Sequence, residues 1–125
     1  MTKQTIHTDL APKAIGPYVQ AVKLGDMIFT SGQLGIDMAT GTLAQGIEAQ
    51  AHAALTNLGA ILKQAGSGYE NVVKCTVFVI DLADFALVNQ VYGTYFKDNC
   101  PARSCVQVAK LPLGGLIEIE CIAMK

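Results

Sequence analysis

The last quarter of the chain places a few polar side chains inside otherwise apolar, strand-like runs. Pro101-Ala102-Arg103-Ser104-Cys105 opens the run Cys105-Val106-Gln107-Val108-Ala109. After a turn through Leu111 to Leu116 comes Ile117-Glu118-Ile119-Glu120-Cys121-Ile122-Ala123. Lys and Arg together number 9, and Arg103 is the one arginine among them. A guanidinium presents a planar fork of donors that grips a carboxylate at two points, which a lysine ammonium does not. An arginine beside a thiol, with carboxylates on the neighbouring strand, suits a pocket for a small organic acid.

Alternation puts Arg103, Cys105 and Gln107 on one strand face, and Glu118 and Glu120 on a face with Ile122 and Met124. A turn centred near Leu113-Gly114 predicts a hairpin in which Glu118 lies near Ala109 and Arg103 near Met124. Arg103 and Glu118 are then on the order of 20 Å apart along the strands. If both serve one ligand, the pocket is built across a subunit boundary. Each of these residues also has a plain structural reading. Alternating Glu118 and Glu120 is the pattern of a half-solvated strand, and Cys105 reads as a small buried hydrophobe. Asn89, on a helical stripe, is a satisfied core amide as readily as a ligand contact. Tyr18, after Gly16-Pro17, fills the base of a hairpin equally well. His7 and His52 have no acidic or thiol partner at a recognisable spacing. Ser31-Gly32 is too short for a phosphate loop, and no dinucleotide or P-loop glycine pattern occurs.

The elements that must position these groups follow from periodicity. Tyr18–Val22 and Met27–Ser31 flank Lys23-Leu24-Gly25-Asp26, a β-hairpin signal. Ser31–Gly35 leads into a polar loop through Thr40-Gly41-Thr42. From Ile47 the period becomes helical, with Ala51, Ala54, Leu58, Ile61 and Ala65 on one stripe and Gly66 as its cap. Val72–Ile80 is apolar on one face through Val73, Cys75, Val77 and Val79 and half apolar on the other, as an interior strand is. Asp81 starts a second helix reaching about Asn99, with Phe85, Val88, Tyr92, Tyr95 and Phe96 on its stripe. Strands Ala102–Lys110 and Leu116–Met124 complete the chain. This order predicts an α+β fold, a mixed sheet with two helices packed on one face. The other face keeps Val72, Phe78, Ile80, Ile122 and Met124, apolar surface that predicts a homo-oligomer.

At 125 residues, 51% apolar and without repeat or linker, the chain reads as a single domain over 1–125. A net charge of −1 and no basic stripe interleaved with aromatics predict no nucleic-acid partner. No run reaches membrane-spanning length, so no membrane partner is expected. Met1–Thr5 is followed by no apolar signal region. Cys75, Cys100, Cys105 and Cys121 show no C-x-x-C pair and read as reduced thiols of a cytoplasmic protein, with no disulfide and no metal.

Taken together, Ala14–Val22, Thr30-Ser31-Gly32-Gln33, Pro101–Cys105 and Ile117-Glu118-Ile119-Glu120 resemble the signatures of the RidA (YjgF/YER057c/UK114) family, in the same order and with similar spacing. The resemblance implies a chorismate-mutase-like α+β fold, a homotrimer and sites in the clefts between subunits. It implies a 2-iminobutanoate/2-iminopropanoate deaminase, a hydrolase that turns enamine/imine acids such as 2-aminoacrylate into 2-oxo acids and ammonia without a cofactor. Such intermediates are released by pyridoxal-phosphate (PLP)-dependent dehydratases and damage other PLP enzymes, which implies a functional link to them. Carried over residue by residue, Arg103 binds the substrate carboxylate, Glu118 positions and deprotonates the attacking water, and Tyr18 lines the pocket. Ser31, Gly32, Cys105 and Asn89 contact substrate, Gly32 and Cys105 through backbone groups. Leu34-Gly35 departs from the Ile-Pro or similar pair common in the family. Two other activities stand beside this one: a non-catalytic metabolite-binding trimer that regulates partner enzymes, and a ribonuclease or translation inhibitor. The absence of a basic groove and of a histidine pair speaks against the last.

Overall fold

The apolar stripe that begins at Ile47 folds as α1 (Gly46–Gln64), with Leu55, Leu58, Ile61 and Leu62 fully buried. Each such side chain contributes about 1.5–3 kcal/mol relative to exposure. The computed structural model describes residues 1–125. Gly66, at φ +84°, ends α1 as expected. Ser67 N–H donates back to the Leu62 carbonyl and Gly66 N–H to that of Lys63, the two bonds of a Schellman cap. The second helix, α2 (Phe85–Tyr95), follows a 3-10 turn at Leu82–Asp84. Asp81 caps that turn, its carboxylate accepting the Ala83 N–H at 2.9 Å. α2 stops at Tyr95 rather than reaching Asn99, because Asp98-Asn99 favours a turn and Pro101 bars its predecessor from the helical region.

The strands are β1 (Gln4–Ile6), β2 (Ala21–Leu24), β3 (Met27–Thr30), β4 (Gln33–Leu34), β5 (Ile36–Asp37), β6 (Thr42–Leu43), β7 (Val72–Val79), β8 (Ala102–Gln107) and β9 (Ile117–Met124). Seven form one mixed sheet in the order β1-β2-β3-β9-β7-β8, with β4 also paired to β9. β5 and β6 make a separate small hairpin. The hairpin expected around Gly25-Asp26 is β2–β3, closed by Gly25 at φ +61°. Only β7 and β8 run parallel, joined by the α2 crossover.

The expected pairing of the last two strands is overturned. β8 and β9 are not neighbours, because β7 lies between them, antiparallel to β9 and parallel to β8. A strand apolar on both faces needs partners along both edges, and the crossover helix delivers β8 to one edge while β9 takes the other. Alternation also fails at the start of β7. A bulge between Val72 and Lys74 leaves Val73 43% exposed and turns Val72 inward, the reverse of the expected assignment.

Beyond the bulge, Cys75, Val77 and Val79 of β7 join Ile117, Ile119 and Cys121 of β9 under the two helices. The opposite face carries Phe29, Phe78, Ile122 and Met124, with no element of the chain packed over it as the helices pack on the first. No helix is long and apolar enough to cross a membrane.

Candidate active site

Glu118 is the second residue of β9, half-buried between Leu34 and Phe78 of the flanking strands. Its neighbourhood is made by an irregularity. Phe29 pairs with Ile122 but Gln33 with Ile119, so four residues of one strand oppose three of the other. The extra residue bulges the chain at Ser31-Gly32 and brings the Gly32 backbone against the Glu118 carboxylate. A Cβ built on Gly32 would come within 2.9 Å of Glu118 Cγ and overlap the carboxylate oxygen. Any larger residue here would push the Glu118 side chain out of its place, so glycine serves the position of the carboxylate and not a special backbone angle.

A cleft of about 510 Å³ opens at this point, lined by Tyr18, Gly32, Leu34 and Glu118 with Ile15 and Leu113 at its rim. Burial pushes the Glu118 carboxyl up from its ordinary value, and the negative charge of Glu120 pushes it further. A carboxylate so raised is a stronger proton acceptor than a solvated one.

Three buried amides hold the walls of this cleft. Gln20, 1% exposed, accepts the Thr8 N–H at 2.7 Å and donates to the carbonyls of Thr8 and Pro12. It thereby fixes the segment that delivers Tyr18. Gln50, on α1, donates to the Ala44 carbonyl at 3.0 Å and accepts the Leu116 N–H at 2.8 Å, two residues before Glu118. Asn57, two turns further along α1, donates to the Ile36 carbonyl at 2.9 Å. Gly35 lets the chain press onto the α1 backbone, where a Cβ would lie 2.5 Å from Gln50 Cα. Ser31 does not line the cleft; its hydroxyl donates to the Val19 carbonyl at 2.6 Å, and its N–H to that of Gln20. Sequence reading missed all three amides. Their one signal is that Gln50 and Asn57 fall seven residues apart beside the apolar stripe.

Arg103 belongs to a different group. It is level with Cys75 on β7 and faces α2, where its Nη1 donates to Asn89 Oδ1 at 2.8 Å. Its guanidinium carbon stands 4.8 Å from the ring centre of Tyr92 and 5.4 Å from that of Phe85. No Asp or Glu carboxylate of the chain lies within ion-pair distance of Arg103. Cys105, two residues along the strand, is half-buried. Burial raises its thiol above the usual range despite the nearby guanidinium, which keeps it protonated at neutral pH and a poor nucleophile. No three His, Cys, Asp or Glu side chains converge to hold a metal ion.

The chain thus brings Tyr18, Gly32 and Glu118 together, and separately Arg103, Asn89 and Cys105. Arg103 is level with Cys75 and Glu118 with Phe78, an odd number of steps along β7. The two side chains therefore leave opposite faces of the sheet.

Comparison with known proteins agrees with this architecture. The family model described as Endoribonuclease L-PSP matches residues 8–125. The chain is 57% identical to a RutC family protein of Pasteurella multocida, over 100% of this chain and 99% of that one. It is 51% identical to the 2-iminobutanoate/2-iminopropanoate deaminase of Salmonella typhimurium, over 98% of each chain. The crystal structure of E. coli TdcF with bound serine superposes with a TM-score of 0.93 at 46% identity, covering 98% of each chain. By sequence and by fold, the chain belongs to the RidA (YjgF/YER057c/UK114) family.

Proposed function

We propose that the protein is a hydrolytic deaminase of small enamine and imine acids, 2-aminoacrylate and 2-iminopropanoate among them, acting as a homotrimer with its sites between subunits. The observation that carries this reading is Arg103, a half-buried cation held only by neutral groups and lacking any carboxylate of its own chain. Burying a charge without an anion is costly, and a substrate carboxylate supplies the missing partner. The raised Glu118 carboxyl supplies the base, and the named deaminases at 51% identity supply the reaction class.

The chemistry needs little else. 2-Aminoacrylate tautomerises to 2-iminopropanoate, whose C2 is already electrophilic. Glu118 takes a proton from water as the water oxygen bonds to C2, and the C=N π electrons move to nitrogen. Nitrogen takes that proton back from Glu118 to give the carbinolamine. Its hydroxyl proton then passes to nitrogen as the C–N bond breaks and C=O forms, so that ammonia leaves and the 2-oxo acid remains. Water and imine are consumed; pyruvate and ammonia are released. Arg103 holds the acid so that C2 faces the water, a gain from orientation, while Tyr18 and the Gly32 backbone close the pocket. The substrates are of the kind that PLP-dependent dehydratases release, so hydrolysis would protect other PLP enzymes. Four free thiols accord with a reducing, cytoplasmic setting.

The test is release of pyruvate and ammonia from 2-aminoacrylate generated by a dehydratase. Glu118→Gln is expected to lower kcat by about 10²–10⁴-fold, the usual worth of a general base. Equal rates for variant and wild type would leave a metabolite-binding trimer as the better reading, a role that bound serine in the TdcF structure favours.

A further inference from the structure

Arginines that are half-buried commonly take an Asp or Glu neighbour as counter-ion. Arg103 takes two aromatic faces instead. Phe85, Asn89 and Tyr92 lie on one face of α2 at successive helical turns, and all three touch the same guanidinium. Phe85 was expected in the core stripe, yet it is 40% exposed, its ring spent on Arg103 rather than on the apolar interior. Tyr92 is 7% exposed, with its hydroxyl buried and without a hydrogen-bond partner. Burial, and then the neighbouring Cys75 thiol, push that phenol far above its ordinary value. A neutral phenol keeps the ring quadrupole without adding a competing anion.

We infer that Phe85 and Tyr92 are positioning residues that hold Arg103 by cation–π contact, leaving its charge uncompensated until a carboxylic acid arrives. The inference rests on the reading that Arg103 binds the substrate acid. An internal carboxylate would fix the guanidinium as well, but it would occupy the fork and compete with the ligand. Two ring faces and one amide oxygen orient the plane while the outer donors stay free. The site thereby selects for anionic ligands.

The experiment compares binding of 2-oxobutanoate with that of its uncharged primary amide, by calorimetry on the assembled protein. Wild type binds the acid better than the amide. Phe85→Leu and Tyr92→Leu weaken acid binding about 2- to 30-fold, the range of an exposed to a desolvated cation–π contact, and leave the amide unchanged. In turnover KM rises by the same factor while kcat holds. Tyr92→Phe, which keeps the ring, retains the wild-type ratio of acid to amide. A merely structural role would move both ligands together. Should Arg103→Ala abolish the ratio while Phe85→Leu preserves it, the clamp is wrong and the acid-binding role stands. Should Arg103→Ala itself preserve the ratio, the acid-binding reading falls and the clamp with it. Phe85 is exposed enough that its replacement leaves the fold intact, so the outcome does not depend on Tyr92→Leu folding.

Discussion

Glu118 shows how a single residue is tuned by what surrounds it. Two causes raise its carboxyl, burial first and the Glu120 charge second. A base must be deprotonated to work, so kcat/KM should fall on the acid side at a pH above the ordinary carboxylate range. Glu120→Gln removes the second cause and leaves the first, so the acid limb of the pH profile should move down without reaching the ordinary value. An unmoved limb would show that Glu120 is not felt at the site. The same shift has a consequence for stability. The folded state binds the Glu118 proton more tightly than the unfolded chain does, so the ionised carboxylate opposes folding above its unfolded value. Glu118→Gln should therefore raise Tm at neutral pH, by a small amount because the group is partly solvated. The gain should vanish below the ordinary carboxylate range, which thermal melts at two pH values would check. Residues of this kind were legible in the sequence where their type was scarce. Arg103 is the one arginine, and Glu118 interrupts an apolar strand. Gln20 and Gln50 were not legible, because an amide near a helical stripe or at a strand entrance looks the same whether or not loop backbone closes on it.

At the scale of elements, the cleft depends on short irregular pieces braced by long regular ones. The helices were legible from their period, and the β2–β3 hairpin from its glycine turn. β4, β5 and β6 were not, since strands of two residues carry no period to detect. The hairpin expected for β8 and β9 failed for a related reason: sequence neighbours usually pair, but here a long-range partner, β7, competes for both edges. The bracing predicts a mutation effect. Gln50 joins α1 to the entrance of β9, and Gln50→Leu leaves the half-buried Leu116 N–H without its acceptor. The expected cost is about 1 kcal/mol, the low end of the penalty for an unsatisfied donor, because water reaches a half-buried N–H in part. Urea unfolding would measure it. Because Glu118 lies two residues downstream on the same strand, kcat should fall further than KM rises. A variant that loses stability but keeps kcat would show that Glu118 is aligned by the sheet alone.

The whole molecule has one finished face and one unfinished one. Helices cover Cys75, Val77, Ile117 and Ile119, while Phe29 and Met124 on the reverse remain exposed, among apolar neighbours. Arg103 and Glu118 leave opposite faces of the same sheet, so a single copy cannot present both to one small acid. A ring of three copies can, if each cleft takes its guanidinium from one protomer and its carboxylate from the next. Such a head-to-tail ring leaves no site unpaired. It follows that two inactive variants should rescue each other. Arg103→Ala and Glu118→Ala, refolded together in equal amounts, mix at random around the ring. A cleft works only when its guanidinium comes from a Glu118→Ala protomer and its carboxylate from an Arg103→Ala protomer, so about one quarter of clefts are whole in the closed ring. Imine hydrolysis should return to roughly that fraction of wild type, in proportion to the clefts rebuilt in the ring. If each cleft drew both groups from one chain, no mixture of the two variants would contain an intact site, and activity would stay at the level of either variant alone.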